Sequence, residues 1–279
     1  MNISEAWEVY YQDKKLEGFS PTTLKGYKIQ LNLLLRYLGD IDINEITIFN
    51  LKQYLIERGS HLKPSSLGVR IRFIRAFFRY LTDEGYIQKN PASKLKEPRL
   101  GQRIPKSFNE EELELLREGC KTELEHALIE VLFSSGMRAG ELHRLNIKNI
   151  NWENRSCIVL GKGNKQREIY FSQKAKIWLK WYIESRNDND PALFVTQRNP
   201  HRLSIDMMRY VVKRIGRQAN LDINVYNHRF RHSFAQYLVD KNCPLEAVQD
   251  QLGHVKLETT KIYCQLSGQR RKQIHDRYF

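Results

Sequence analysis

Groups that can grip a phosphate, move protons and attack as a nucleophile stand in four short patterns of this 279-residue chain. Ser135-Gly136-Met137-Arg138-Ala139-Gly140-Glu141-Leu142 is a glycine-punctuated turn with an arginine three residues before a glutamate. Arg138 has the planar fork that holds a phosphate, and Glu141 can keep that fork in place. Read alone, the pair is an ordinary surface ion pair. Lys162 lies in Gly161-Lys162-Gly163-Asn164-Lys165, where an ammonium on a turn can enter a groove and deliver a proton; read alone, it is a solvated loop tip. His228-Arg229-Phe230-Arg231 puts His228 and Arg231 on one face of a helix start and Phe230 toward a core. The plain alternative is a core histidine beside a surface arginine. Leu252-Gly253-His254 is followed nine residues later by Tyr263, in Thr259-Thr260-Lys261-Ile262-Tyr263. One tyrosine among 14 is ordinarily a packing residue.

The elements that must position these groups can be read from periodicity. In the first hundred residues, a helix is expected from about Ser4 to Glu17. A second starts at the Ser20 cap and Pro21, carries Leu24, Tyr27, Leu31, Leu34 and Leu38 at helical spacing, and ends at Gly39. A third runs from Thr47 to Gly59, and a fourth from Pro64 to near Gly85 with Leu67, Ile71, Ile74, Phe78 and Leu81 on one face. Arg72, Arg75 and Arg79 share another face of that helix, with Arg70 nearby, and such a stripe can follow a phosphate backbone. The stretch 88–107 holds three prolines, many charges and no apolar period, as a linker does. Asn109-Glu110-Glu111-Glu112 then fits a capped acidic helix start. Further helices are expected over 124–135, 172–185, 204–219, 228–241, 244–252 and after 267. Arg209, Lys213 and Arg217 form a second basic stripe at i, i+4 and i+8. Strands are expected at Cys157–Leu160 and Arg167–Phe171 around the glycine turn, with a third at Ala192–Val195.

Composition narrows the function class. Lysine and arginine number 46 against 32 aspartate and glutamate, a formal charge of +14 with a pI near 9.6. Residues 1–100 carry 16 basic and 11 acidic side chains, a net +5, which leaves +9 for the rest. Both parts of the chain therefore suit a polyanion, nucleic acid first and an anionic membrane surface second. A hydrophobic content of 41% argues against disorder. The opening MNISEAWEVYYQDKK lacks the apolar segment of a signal peptide, and no apolar run is long enough to span a bilayer. Cys120, Cys157, Cys243 and Cys264 form no CxxC pair, which fits reduced thiols in a cytosol and no zinc site.

Taken together, Arg138, Lys162, His228, Arg231, His254 and Tyr263 stand in an order and spacing that resembles the tyrosine recombinases, the phage integrase family. The wording SSGMRAGEL, GKGNKQR, HRFRHSFA, QLGH and TTKIYC resembles Xer-type bacterial members in particular. The resemblance covers essentially the whole chain. It implies a mainly α (α+β) fold: a helical core-binding domain at 1–98, a linker at 99–107, and a mostly helical catalytic domain at 108–279 with a small antiparallel sheet and a tail at 265–279.

The resemblance also implies roles. Tyr263 is the nucleophile, leaving a 3′-phosphotyrosyl bond and a free 5′-hydroxyl. Arg138 and Arg231 neutralise the non-bridging oxygens, and His254 adds a hydrogen bond to them. Lys162 protonates the 5′-oxygen, His228 assists proton removal from Tyr263, and Glu141 orients the arginine and histidine groups. Such chemistry calls for no metal and no ATP, because the phosphotyrosine ester retains the energy of the bond it replaced. The implied partner is a double-stranded DNA recombination site bound by a homo- or hetero-tetramer through exchange of the tail, with or without accessory proteins and without a membrane. The implied intermediate is a Holliday junction, in the cytoplasm of a bacterium or on a mobile element. Two other readings share parts of the pattern. A type IB topoisomerase-like enzyme would relax supercoils by the same bond, and an architectural DNA-binding protein would hold DNA without cutting it.

Overall fold

A computed structural model describes residues 1–101, 105–161, 166–253, 260, 263, 275 and 276. The chain divides into two compact units, Met1–Gln102 and Arg103–Phe279, each with its own apolar core. No helix among the described residues is long and apolar enough to cross a membrane.

The first unit is built on four helices: α1 (Ile3–Leu16), α2 (Pro21–Leu38), α3 (Ile48–Gly59) and α4 (Pro64–Asp83). Their starts follow local chemistry. The Ser20 side chain accepts from Thr23 N–H ahead of Pro21, and Thr47 and Asn50 form a reciprocal capping box. Aromatic rings fill the core: Trp7 and Tyr10 on α1 meet Phe73 and Phe77 on α4. Ile87, Ala92 and Leu95 are buried in the same core, so the first half of the proline- and charge-rich stretch folds onto this unit. On α4, Arg72, Arg75 and Arg79 are exposed as expected. Arg70 departs from the stripe. It is 8% exposed, donates to Arg58 O at 2.5 Å and lies over the Tyr54 ring, so it is committed to the interior of its own unit. Position 70 lies two residues from 72, which on a 3.6-residue helix turns it toward the opposite face.

The second unit surrounds α6 (Glu123–Ser135). The remaining helices are α5 (Glu110–Glu118), α7 (Ala139–Arg144), α8 (Gln173–Glu184), α9 (Ile205–Gln218), α10 (Asn227–Asp240) and α11 (Leu245–Leu252). Leu124, Leu128, Val131 and Leu132 are buried on α6, and its two buried carboxylates are each matched by an arginine. Glu125 takes Arg214 and Glu130 takes Arg117. Asn109 caps α5 in a box with Glu112, as its acidic start implies. A three-stranded antiparallel sheet follows in the order β1 (Ile150–Asn151), β2 (Ser156–Leu160), β3 (Gln166–Tyr170), with Cys157 opposite Ile169. The third strand is thus Ile150–Asn151 rather than Ala192–Val195. That segment is buried along its whole length and makes only single bridges, Asn146 to Ala192 and Val195 to Arg202. Burial on both faces gives an apolar run whether or not it joins a sheet, and this one packs into the core as irregular chain.

Candidate active site

The site is assembled where four chain segments end. Helix α6 stops at Gly136, which has φ +59°, a conformation natural to glycine. A Cβ at this position would also collide with the Phe234 ring. The chain therefore turns abruptly, and Arg138 becomes the N-cap of α7. Its own N–H donates to Glu141 Oε2 at 2.8 Å and its guanidinium to Oε1 at 2.9 Å. The i+3 spacing noted in the sequence is thus half of a capping box, with Glu141 accepting from the Arg138 N–H, as well as an ion pair.

Glu141 is the electrostatic centre. Its side chain is 2% exposed and also accepts from both terminal nitrogens of Arg167 on β3, each at 2.9 Å. Burial alone would raise this carboxyl's pKa. The Arg167 and Arg138 hydrogen bonds and charges outweigh it, and the pKa lies below the usual value. Arg167 donates in addition to Gln251 O at 3.2 Å on α11. Gly253, at the end of α11 with φ +61°, lies against the Arg167 side chain; a Cβ there would sit 3.0 Å from it.

Helix α10 supplies the other wall. Arg231 is 4% exposed and donates to Gly136 O at 2.8 Å and to Leu252 O at 2.6 Å, tying the ends of α6 and α11 together. Burial lowers its pKa to about 10; the neighbouring Arg138 and Arg167 charges push the same way and Glu141 opposes them. Arg138, Arg231 and Arg167 thus place three guanidinium charges around one carboxylate, a receptor with positive charge in excess. His228 stands at the start of α10. Packing around it, then the charges of Arg231, Arg138 and Arg209, lower its pKa, so the ring is neutral at pH 7.

Tyr263 is 5% exposed and packs with Phe234, Val239, Val248 and Leu252. Burial raises its pKa, and the charge of Arg231 opposes that rise. Its hydroxyl is hydrogen bonded to His232 Nδ1 at 2.7 Å. The phenol's partner is therefore His232 rather than His228. Burial, then the nearby His228 and the Arg231 charge, lower the His232 pKa to about 4.

Of the six residues singled out in the sequence, Arg138, His228, Arg231 and Tyr263 are thus brought to one place, with Glu141 among them. Lys162 and His254 lie outside the described residues. Two further site residues, Arg167 and His232, are not singled out by sequence, although both carry a signal. Arg167 is two residues before the buried Ile169 and so shares the inward face of β3. His232 stands four residues after His228, on the same face of α10. The basic stripe Arg209, Lys213 and Arg217 is exposed along α9, and its Arg209 end reaches the site through its charge on His228.

Comparison with known proteins gives the family. Residues 106–270 match the phage integrase family model, and residues 8–85 match the phage integrase N-terminal SAM-like domain. The chain is 32% identical to the tyrosine recombinase XerC of Haemophilus influenzae over 285 residues, covering 98% of this chain and 95% of that one. It is 31% identical to the XerC of Proteus mirabilis over 268 residues, covering 92% and 87%. Among solved structures, XerH, a site-specific recombinase crystallised on its palindromic difH substrate after cleavage, shares the fold with a TM-score of 0.75 at 24% identity, covering 94% of this chain and 81% of that one. Sequence, fold and relatives coincide: this chain belongs to the phage integrase family and is a tyrosine recombinase, a DNA strand-transferring enzyme.

Proposed function

We propose that the protein recombines two specific DNA sites by cutting and resealing one strand at a time through a 3′-phosphotyrosyl bond at Tyr263. The observation that carries this reading is the hydrogen bond between the Tyr263 phenol and His232, the neighbour of the buried Arg231 on α10, with Arg231 tied to Gly136 O at the turn that leads into the Arg138–Glu141–Arg167 cluster. A phosphodiester entering that excess positive charge gains stabilisation that grows as its oxygens take on charge in the transition state. Arg138 and Arg231 neutralise the non-bridging oxygens, and Glu141 holds Arg138 and Arg167 in register. His254 donates a further hydrogen bond, and Lys162 protonates the departing 5′-oxygen, since an alkoxide is a poor leaving group. His228, at the start of α10, sits beside the same charges.

The units at 1–98 and 108–279, joined by 99–107, both bind the duplex. The exposed stripes Arg72, Arg75, Arg79 and Arg209, Lys213, Arg217 bind its phosphates. Four subunits, of one chain or of two related ones, exchange the tail 265–279 and pass through a Holliday junction. The enzyme acts in the cytoplasm on nucleoid or mobile-element DNA. The test is a recombination assay on two cognate sites beside a relaxation assay on a plasmid without them. Strand exchange between cognate sites with little relaxation supports recombination; relaxation of any plasmid without exchange refutes it in favour of a topoisomerase.

A further inference from the structure

We propose that His232 is a catalytic residue of strand cleavage: its Nδ1 accepts the phenol hydrogen of Tyr263 and takes that proton as Oη attacks phosphorus. This assignment rests on the recombinase reading above. The hydrogen bond is direct, at 2.7 Å between Oη and Nδ1; His232 lies within α10, and Tyr263 is buried in the small core that holds Phe234 and Leu252. His232 belongs to α10, one residue after the phosphate-facing Arg231, so the proton acceptor and the anion receptor are parts of one rigid helix.

The ring has a route outward. His232 also lines an open cleft of about 650 Å³ with Lys106, Asp222, Tyr226 and Arg229. With its proton on Nε2, the imidazole offers Nδ1 to the phenol as acceptor. Burial, His228 and Arg231 keep it neutral in the free protein, and so able to accept. A bound phosphate beside Arg231 offsets that charge and makes the imidazolium easier to form. The phenol changes too, because its proton becomes strongly acidic as the oxygen–phosphorus bond forms.

The step balances. An Oη lone pair forms the bond to phosphorus, the O–H electrons stay on oxygen and the proton passes to Nδ1. The P–O5′ bond breaks with its electron pair on the 5′-oxygen, which is protonated by the acid on the leaving side. In resealing, the incoming 5′-hydroxyl returns its proton to the group that acted as acid and attacks phosphorus; the Oη–P bond breaks with its pair on Oη, which regains the proton from His232.

The experiment is single-turnover cleavage of a nicked suicide duplex carrying the sequence recovered by mapping DNA ends attached to the protein in cells. His232→Asn is the informative variant: its amide oxygen can accept the phenol hydrogen bond in place of Nδ1 but cannot take the proton. The expected result is DNA binding within about threefold of the unmodified protein and cleavage slowed about 100-fold, in line with loss of a general base. The residual rate should climb about tenfold per pH unit from about pH 7 to 9, as an unassisted phenol of pKa ~10 requires. A duplex with sulfur at the 5′-bridging position, which needs no acid, should leave the defect in place. Cleavage by the Asn variant within about threefold of the unmodified protein overturns the proposal, as does its rescue by the sulfur substrate. The unmodified protein supplies a test free of any folding defect. Its own cleavage rate should be nearly flat over about pH 7 to 9, and a rise of about tenfold per unit means the phenol ionises without help and the assignment is wrong. No covalent adduct from the unmodified protein would sink the recombinase reading itself, a different failure from an Asn variant that cleaves normally.

Discussion

Glu141→Gln is the most informative single change to the architecture of the site. The carboxylate receives four hydrogen bonds, two from Arg138 and two from Arg167, at 2.8–2.9 Å. Glutamine preserves the shape, so no cavity term enters, but its amide nitrogen must face an arginine donor and the compensating charge is gone. The Arg138 side chain is one-third exposed, and its share counts for at most about 1 kcal/mol. Arg167 is 12% exposed against a carboxylate at 2%, so most of the cost lies there. Breaking a buried pair by neutralising one partner costs about 3–5 kcal/mol. For a unit of this size each kcal/mol lowers Tm by about 2–4 °C, so a drop of about 10 °C is expected at neutral pH. The folded-state pKa of Glu141 lies below its unfolded value near 4.5. Its contribution is therefore complete above about pH 4.5 and is lost as pH falls through the lower folded value, where Gln and Glu should converge. Urea unfolding of Glu141→Gln, Arg167→Met and the double variant completes the cycle, with a coupling of about 2–3 kcal/mol. A cost below about 1 kcal/mol for Glu141→Gln at neutral pH, or strict additivity with Arg167→Met, would mean that the charges around Glu141 do not hold the site together.

Other consequences can be measured on the same protein. Arg231→Ala leaves the carbonyls of Gly136 and Leu252 without their buried donor; it should cost about 1–3 kcal/mol in unfolding and slow covalent cleavage by about 10²–10³-fold at saturating DNA. Gly136→Ala forces a left-handed backbone and a collision with Phe234, so unfolding in urea should reveal a loss of about 2–4 kcal/mol. His232 has a folded-state pKa of about 4 against ~6.5 unfolded, so the unfolded chain binds the extra proton between those values. Stability is complete above about pH 6.5 and falls by about 3 kcal/mol as pH drops to about 4, a component that His232→Asn should remove from a pH series of unfolding free energies. Replacing Arg72, Arg75 and Arg79 by Gln should weaken binding to all duplexes alike and flatten the slope of log K against log salt by about 0.9 for each phosphate left without its arginine.

The helices are legible because their caps and apolar periods agree. Asn109 with Glu112, Ser20 with Pro21, and Thr47 all start helices where side-chain chemistry places a start. Arg138 with Glu141 is legible as a pair but not as a helix start, because a six-residue helix is too short for periodicity to register. The failure at Ala192–Val195 has a related cause: an apolar run reports burial, and burial does not require a sheet. Arg70 groups with Arg72 by proximity in sequence, whereas helical geometry sends the two in different directions. His232 and Arg167 become visible only when partners distant in sequence, Tyr263 and Glu141, are brought beside them, 31 and 26 residues away respectively. Their own faces are readable; what each face meets depends on long-range packing.

The strand transfer proposed for this enzyme stands on one bond, formed between the phenol of Tyr263 and DNA. Peptide mapping by mass spectrometry of the adduct trapped on a nicked suicide duplex looks for that bond itself. A nucleotide-bearing peptide containing Tyr263 is expected from the unmodified protein, with no adduct from Tyr263→Phe. An adduct that persists in Tyr263→Phe, or one mapped to another residue, would show that a different group attacks the phosphate.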